Sequence, residues 1–266
     1  MKITRKDFLR LSGLSILAAG AVRTFEAARA AGETAKRAIG GTSANSGANS
    51  TQKKQYAMAI DLRKCREHPG CEICMTACRA AHNVPLIPDP RHEVKWIWNA
   101  PFAEVFPGAQ SAYTRRNYTA SPLPVLCNHC DQPPCVEVCP TGATWKRAED
   151  GIVMMDWHRC IGCKYCMVAC PYEARSFNFV DPRAYVEHIN PDFPTRSMGV
   201  VEKCDFCAER LAVGKPPACA AACPAGAIAS GDLADPNSPV SQALGASFSL
   251  RGKPELGTGP NIYYFV

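Results

Sequence analysis

Cysteine is the residue type with the strongest chemical potential in this sequence. The chain has 266 residues and 16 cysteines, and every cysteine falls into one of four groups of four. Thiols can form disulfides, and thiolates bind zinc or iron–sulfur clusters, so the spacing has to decide among three chemistries. Group one is Cys65, Cys71, Cys74 and Cys78, group two Cys127, Cys130, Cys135 and Cys139, group three Cys160, Cys163, Cys166 and Cys170, and group four Cys204, Cys207, Cys219 and Cys223.

Group three has the most specific spacing. Residues 160–171 form a C-x2-C-x2-C-x3-C-P run, in which three thiolates hold one [4Fe–4S] cluster and the fourth reaches a second cluster. Gly162 would let the backbone approach the sulfides. We expect Cys170 to begin a helix that leads to the second cluster, with Pro171 fixing φ at the turn into the next segment.

The other three groups are variations on this run, which makes an internal repeat of four units. One gap is widened in each, to five residues in group one, four in group two and eleven in group four. Proline follows the last cysteine of groups two, three and four, whereas Arg79 follows Cys78.

Zinc and disulfides are the alternatives to iron. Zinc ribbons pair two C-x2-C knuckles over a longer stretch and need no third and fourth cysteine so close by. Three cysteines within seven residues cannot easily pair with one another in unstrained disulfides. The spacing therefore favours iron–sulfur clusters over both alternatives.

The elements around the cysteines begin with a predicted export signal over residues 1–30. Thr4–Arg10 resembles the twin-arginine pattern with Lys6 at the second arginine position, Leu11–Val22 is modestly apolar, and Ala28–Ala30 fits a small-residue cleavage site. We therefore expect a periplasmic protein, exported in folded form to the outer face of the cytoplasmic membrane. Residues 31–55 are rich in Gly, Ser and Ala, which predicts a flexible linker.

Composition excludes several other classes. The net charge is +6, but residues 1–30 hold six Lys/Arg against two Asp/Glu, which leaves +2 for the remainder and gives no nucleic-acid footprint. No apolar run reaches the roughly 18 residues of a membrane-spanning helix, so the sequence does not predict an integral membrane protein. With 47% hydrophobic residues, the part after the linker can bury a core.

Several motifs together resemble a known family. Cys127–Cys135, Thr141–Ala143, Asp150–Val153 and Glu202–Cys207 are similar to those of the four-cluster ferredoxin-type subunits that serve molybdopterin oxidoreductases and related membrane complexes. The resemblance covers about residues 56–230. It implies an α+β fold of two pseudo-symmetric two-cluster ferredoxin halves within residues 56–266. Half A is about 56–92 plus 199–230, half B about 120–180, the insertion 93–119, and the C-terminal tail 231–266.

The resemblance also implies how the groups cross over to hold four [4Fe–4S] clusters. Each set of four cysteines takes three ligands from one group and one from another. The implied sets are Cys65, Cys71, Cys74 and Cys223 (set 1), Cys127, Cys130, Cys135 and Cys170 (set 2), Cys139, Cys160, Cys163 and Cys166 (set 3), and Cys78, Cys204, Cys207 and Cys219 (set 4).

A narrower resemblance concerns the partners. Cys65–Cys71, His82–Pro85 and His92–Trp98 look most like the DsrO-type subunits, the exported iron–sulfur subunits of Dsr-type complexes in dissimilatory sulfur metabolism. This implies an NrfD-type polytopic quinone-reactive membrane subunit, a multihaem cytochrome c subunit and other Dsr complex subunits as partners. The alternative is a subunit that serves a molybdopterin enzyme such as a polysulfide, tetrathionate or sulfoxide reductase.

The chemistry expected of the chain is electron transfer without a substrate site of its own. Four thiolates complete each cluster, and a catalytic metal needs an open position. The sequence offers no convincing nucleophile–base pair, so we expect a subunit and not an enzyme. Because the sets are complete, we expect His68, His129 and His158 to lie next to the clusters or to have packing roles instead of being ligands, and we expect a helix-end or surface role for His82. Three cations lie beside ligands: Arg79, Lys164 and Lys203. Each would raise the reduction potential of the nearest cluster if its charge pointed at it, but we expect them to face water.

The segments between the groups leave two readings open. Val94, Trp96 and Trp98 alternate as in a strand, and Phe102 and Phe106 follow. They could form an edge strand on the protein's own core or an aromatic docking surface. Residues 181–198 predict a loop, and 261–266 predict a terminal strand or anchor.

Overall fold

The computed structural model describes residues 53–109 and 122–266. The predicted signal peptide, residues 31–52 of the predicted linker and residues 110–119 of the predicted insertion lie outside the described residues. Within them, no helix is long and apolar enough to cross a membrane.

Short elements make up the described chain, which mixes helices and strands as an α+β fold does. The strands are β1 (Tyr56–Asp61), β2 (Ile97–Ala100), β3 (Leu123–Leu126), β4 (Thr144–Lys146), β5 (Val153–Met155), β6 (Ser176–Phe177), β7 (Val201–Glu202), β8 (Ile228–Asp232), β9 (Leu250–Arg251) and β10 (Ile262–Phe265). The α-helices are α1 (Leu62–Arg66), α2 (Ile73–His82), α3 (Phe102–Val105), α4 (Pro134–Glu137), α5 (Tyr165–Ala169), α6 (Ala208–Ala212), α7 (Ala218–Ala222) and α8 (Pro239–Ala246). The 3₁₀ helices are Pro90–His92, Pro107–Ala109, Pro182–Tyr185 and Pro254–Leu256.

One four-stranded sheet and three strand pairs connect these elements. The sheet has the order β8-β1-β10-β9, and the pairs are β2-β3, β4-β5 and β6-β7. Strand β1 is antiparallel to β8 and parallel to β10, with Met58 opposite Ile262. The terminal strand that the sequence predicted is therefore present as β10, and it lies in the middle of the sheet.

Strand β1 is buried on both faces because its alternate residues enter different cores. Met58 and Ile60 join the main core, whereas Ala57 and Ala59 pack with Val240 of α8. Successive side chains on a strand point to opposite faces, and the small alanines leave room for the helix. Helix α8 begins where Ser238 accepts a hydrogen bond from the Ser241 N–H and proline stands at its first position.

The aromatic residues of the insertion belong to the main core. Trp96 is 1% exposed, and Phe102 and Phe106 are also buried. Strand β2 starts at Ile97, later than the alternation from Val94 suggested, and it pairs with β3. For Trp96, Phe102 and Phe106 the reading as a docking surface is therefore wrong, because the protein's own interior covers them, whereas Trp98 is only partly buried.

A buried ion pair ties the 181–198 segment to this core. The side chains of Arg196 and Glu202 are fully buried, 2.7 Å apart, and Glu202 also accepts a hydrogen bond from the Trp96 indole N–H at 3.0 Å. The Arg196 guanidinium donates to the carbonyls of His82 and Asn83 at the end of α2. One arginine thus holds together the loop, helix α2 and strand β7.

We predict that Glu202→Gln lowers the free energy of unfolding by about 3–5 kcal/mol, because it leaves the Arg196 charge buried without its counter-charge. Unfolding in guanidinium chloride under anaerobic conditions measures the loss. Arg183→Gln is the matched control, since Arg183 pairs with Asp181 at an exposed site. We expect that variant to unfold at the wild-type denaturant concentration. Equal midpoints for all three proteins would contradict the prediction.

Candidate metal centres

Set 1 lines a single cavity. Cys65, Cys71, Cys74 and Cys223 border a cavity of about 130 Å³, together with apolar side chains such as Ile228. Cys65 lies on α1 and Cys74 on α2, and Cys223 directly follows α7, which packs against α2. Burial and the neighbouring thiols of Cys223 and Cys74 raise the pKa of Cys65 to about 12. Helix packing thus brings one cysteine of group four to three of group one.

Set 4 is the most deeply buried of the four. Cys78, Cys204, Cys207 and Cys219 are all buried. Burial, followed by the nearby Cys219 and Cys207, raises the pKa of Cys78 well above its usual value. Burial and Cys78 do the same to the pKa of Cys204. The four thiols therefore lie close enough to influence one another.

Set 2 joins three cysteines of group two to the last of group three. Burial and the adjacent Cys127 raise the pKa of Cys170 to about 11. The pKa of Cys130 rises to about 12, again through burial and Cys127, with Cys170 and Cys135 also contributing. The charge interactions thus link the four predicted members.

Set 3 lines a second cavity near the surface. Cys139, Cys160, Cys163 and Cys166 border it together with Lys164. Cys163 is exposed, unlike the other fifteen cysteines, which are buried or half-buried. Of the four sets, this one reaches furthest toward solvent.

Cys170 does not begin a helix, so that expectation is wrong. Cys170 and Cys223 instead follow the ends of α5 and α7, with extended ψ values of 110°. A residue before proline is pushed out of the helical region, so each helix has to end where Cys-Pro begins. Cys78 has Arg79 after it, and α2 continues to His82.

Backbone amides point at several of the sulfurs. The N–H groups of Phe206 and Ala218 donate to the sulfurs of Cys204 and Cys207, at 3.4 and 3.3 Å. The Ala227 N–H donates to Cys223 at 3.3 Å. Such donors favour thiolates and tune a bound cluster.

The histidines beside the cysteines take different positions. His129 is buried, and its Nδ1 accepts a hydrogen bond from the Val153 N–H, which confirms a packing role. His68 and His158 are exposed, so a packing role is wrong for these two. His82 ends α2 as expected, but it is fully buried and bonds Glu209 at 3.0 Å, so a surface position is wrong. His82, Glu209 and Cys207 also have potential ligand atoms close together, although Cys207 already belongs to set 4.

Two cations depart from the sequence analysis. Lys203 does not face water as predicted, because it is 1% exposed and its ammonium donates to the carbonyls of Val153 and Cys204. Arg175 was missed altogether, and its buried guanidinium donates to the Cys135 sulfur at 3.1 Å. Lys164 and Arg79 are half-exposed, and the Lys164 ammonium lies over the Phe177 ring.

The residues fit iron–sulfur clusters chemically. All sixteen cysteines are free, so the described chain contains none of the alternative disulfides. Each set offers four soft sulfur donors in a largely apolar surrounding with nearby amide donors, the environment that such clusters use. Four thiols would also satisfy zinc, so the donor set alone does not separate the two metals.

Comparison with known proteins distinguishes iron–sulfur clusters from zinc. The 4Fe-4S dicluster domain family matches residues 119–183 and again residues 159–228. The chain is 40% identical to the Hdr-like menaquinol oxidoreductase iron-sulfur subunit 1 of Archaeoglobus fulgidus, over 80% of this chain and 84% of that protein.

Two further relatives extend the comparison. The iron-sulfur cluster-binding subunit of menaquinone reductase from Nitratidesulfovibrio vulgaris is 37% identical, over 80% of this chain and 89% of that protein. A tetrathionate reductase subunit of Salmonella typhimurium is 38% identical, over 80% of this chain and 72% of that protein. The chain therefore belongs to the family of ferredoxin-type iron–sulfur electron-transfer subunits of oxidoreductase complexes.

Proposed function

We propose that the chain relays electrons through four [4Fe–4S] clusters between an NrfD-type quinone-reactive membrane subunit and a multihaem cytochrome c in a Dsr-type respiratory complex. The main observation in support of electron relay is the arrangement of the thiols. Two cavities are each lined by four cysteines drawn from two different groups. The 40% identity to a menaquinol oxidoreductase subunit supports a quinone-linked complex. The resemblance of Cys65–Cys71 and His92–Trp98 to DsrO-type subunits supports the Dsr assignment.

We further propose the crossed ligand assignment of sets 1 to 4. When bound, the clusters supply reversible one-electron storage without bonds to substrate. The protein supplies thiolates, excludes water and donates amide hydrogen bonds to sulfur. Because burial raises the pKa of Cys65 and Cys130 to about 12, these thiols are protonated at neutral pH until a metal displaces the proton.

Location is part of the same proposal. The order of charged, apolar and small residues within 1–30 supports export in folded form by the twin-arginine route. A protein that acquires its clusters in the cytoplasm benefits from such a route. It would then act at the periplasmic face of the cytoplasmic membrane, held there by its partners.

In a second candidate function, the chain also relays electrons through four clusters, but its redox partner is a different protein. The 38% identity to a tetrathionate reductase subunit supports a complex with a molybdopterin catalytic subunit. In that case the substrate chemistry belongs to the partner, and this chain carries electrons to or from it.

Co-purification distinguishes the two candidates. We expect a C-terminally tagged chain, solubilised from membranes in mild detergent without oxygen, to bring down a multihaem cytochrome and a polytopic membrane protein. Mass spectrometry identifies the partners, and haem staining and molybdenum analysis are run on the same sample. A molybdopterin protein in the eluate would overturn the Dsr assignment and leave the relay intact.

Paired cysteine variants test the crossed ligand sets. A chain with four [4Fe–4S] clusters holds about sixteen iron atoms, so Cys71→Ala and Cys223→Ala should each lose about four. The double variant should lose no more than either single variant, because both residues belong to set 1. Iron and acid-labile sulfide analysis of anaerobically purified protein measures the loss.

The matched control joins Cys71→Ala to Cys163→Ala, which lies in set 3. Because two clusters are then affected, this double variant should lose about eight iron atoms. Additive losses for Cys71 and Cys223 would show that they hold different clusters and would refute the assignment.

A further inference from the structure

Arg175 occupies a buried position between two of the proposed sets. It is 4% exposed. Its Nη2 donates to the Cys135 sulfur at 3.1 Å and to the Thr144 hydroxyl at 2.8 Å. Its Nη1 lies 3.7 Å from the Met155 sulfur, and Thr144 and Met155 both line the cavity of set 3. Cys135 belongs to set 2, so one side chain bonds a sulfur of set 2 and lies against the wall of the set 3 cavity.

The charge of this side chain is permanent. A guanidinium stays protonated in proteins, and burying it is costly unless anionic partners compensate for the lost water. The Cys135 sulfur lies within hydrogen-bond distance of the guanidinium and becomes a thiolate when it binds iron. The compensation for the buried cation therefore comes from this ligand sulfur.

The internal repeat provides a natural comparison. Arg175 stands five residues after Cys170, in Cys-Pro-Tyr-Glu-Ala-Arg, and Ile228 stands five residues after Cys223, in Cys-Pro-Ala-Gly-Ala-Ile. Ile228 is also buried, and it lines the cavity of set 1. Two halves of similar design thus carry a cation and an apolar side chain at the same position.

The other deeply buried cation near the cysteines has a different contact. The Lys203 ammonium donates to the carbonyl oxygens of Val153 and Cys204. Those contacts satisfy the ammonium through backbone and not through sulfur. Arg175 differs because it donates directly to a ligand sulfur, that of Cys135.

We propose that Arg175 is a tuning residue that raises the reduction potentials of the clusters held by sets 2 and 3 together. A fixed positive charge and hydrogen bonds to sulfur both stabilise the extra electron of a reduced cluster. Set 1 has Ile228 instead, so its cluster receives no such stabilisation from this position. The inference rests on the proposed iron–sulfur ligand sets.

Redox titration followed by electron paramagnetic resonance tests the role in the full-length, iron-loaded chain. In Arg175→Gln we expect two of the four reduction steps to move to lower potential. At the wild-type midpoint the ratio of reduced to oxidised cluster should fall about tenfold, a shift of about 59 mV for a one-electron couple. Cys163→Ala, which removes a ligand of set 3, identifies one of the affected signals.

The matched control is Arg159→Gln. Arg159 directly precedes Cys160 but is exposed, and it donates to the Thr141 carbonyl. Water screens such a charge, so its loss should leave all four potentials unchanged. A shift as large as that of Arg175→Gln, or an equal shift of all four steps in Arg175→Gln, would refute a specific role for Arg175.

A third variant tests the proposal in case Arg175→Gln does not assemble its clusters. Arg175→Lys keeps the charge but replaces the planar guanidinium, which bonds the Cys135 sulfur and the Thr144 hydroxyl, by a single ammonium. It should shift the same two steps downward by less than the glutamine variant. Should Arg175→Gln lose its iron, wild-type potentials in the lysine variant would refute the proposal.

Iron content separates this inference from the proposed function. A wild-type chain without iron and sulfide would refute the proposed function itself. Full iron content with unmoved potentials in both Arg175 variants would refute the tuning role alone.

Discussion

Sixteen thiols have to be placed in pairs of chain segments that are far apart in sequence, and this requirement shapes the rest of the structure. Helix α2 packs on α7, which joins the cysteines of groups one and four, and α4 packs on α5, which joins groups two and three. The helices that carry or border these cysteines are mostly short, and α1, α4, α5 and α7 span only four or five residues each. Long strands or helices would carry the backbone past the sulfurs.

The cysteine spacing indicated iron–sulfur chemistry, but the backbone conformation at the last cysteine of a group depends on whether proline follows it. Cys-Pro was interpreted as the start of a helix, whereas the restriction that proline imposes on the preceding residue makes it the end of one. Cys170 and Cys223 are therefore extended, and Cys78, which lacks the proline, remains helical. The rule needed for the correct answer was already present in the sequence.

Other features could not be predicted from pattern alone. The alternation around Trp96 showed that one face of this segment is apolar, but it did not show what packs against that face. In the structure, the main core packs against it, and that core is assembled from segments distant in sequence. Arg175 and Lys203 were overlooked or placed in water because charged residues are almost never fully buried unless they are paired. The sequence contained one indication that Arg175 is unusual: at the equivalent position of the repeat, the other half has the apolar residue Ile228.

Buried cations recur in this small protein, and each has a different kind of partner. Arg196 pairs with a carboxylate, Lys203 with carbonyl oxygens and Arg175 with sulfur. Such groups contribute little net stability on average, because desolvation offsets the attraction. Their geometric demands instead fix which segments meet, and at Arg175 the partner atoms are those proposed to bind metal.

The parallel pairing of β1 with β10 has a consequence for biosynthesis. Strand β1 lies near the start of the described body, and its partner comes some two hundred residues later. The segment with groups two and three is continuous, so it can close on itself as it leaves the ribosome. The cysteines of group one have to wait for group four, and β1 has to wait for the last strand. The middle of the described chain can therefore fold first, with the sheet that pairs β1 and β10 completed last.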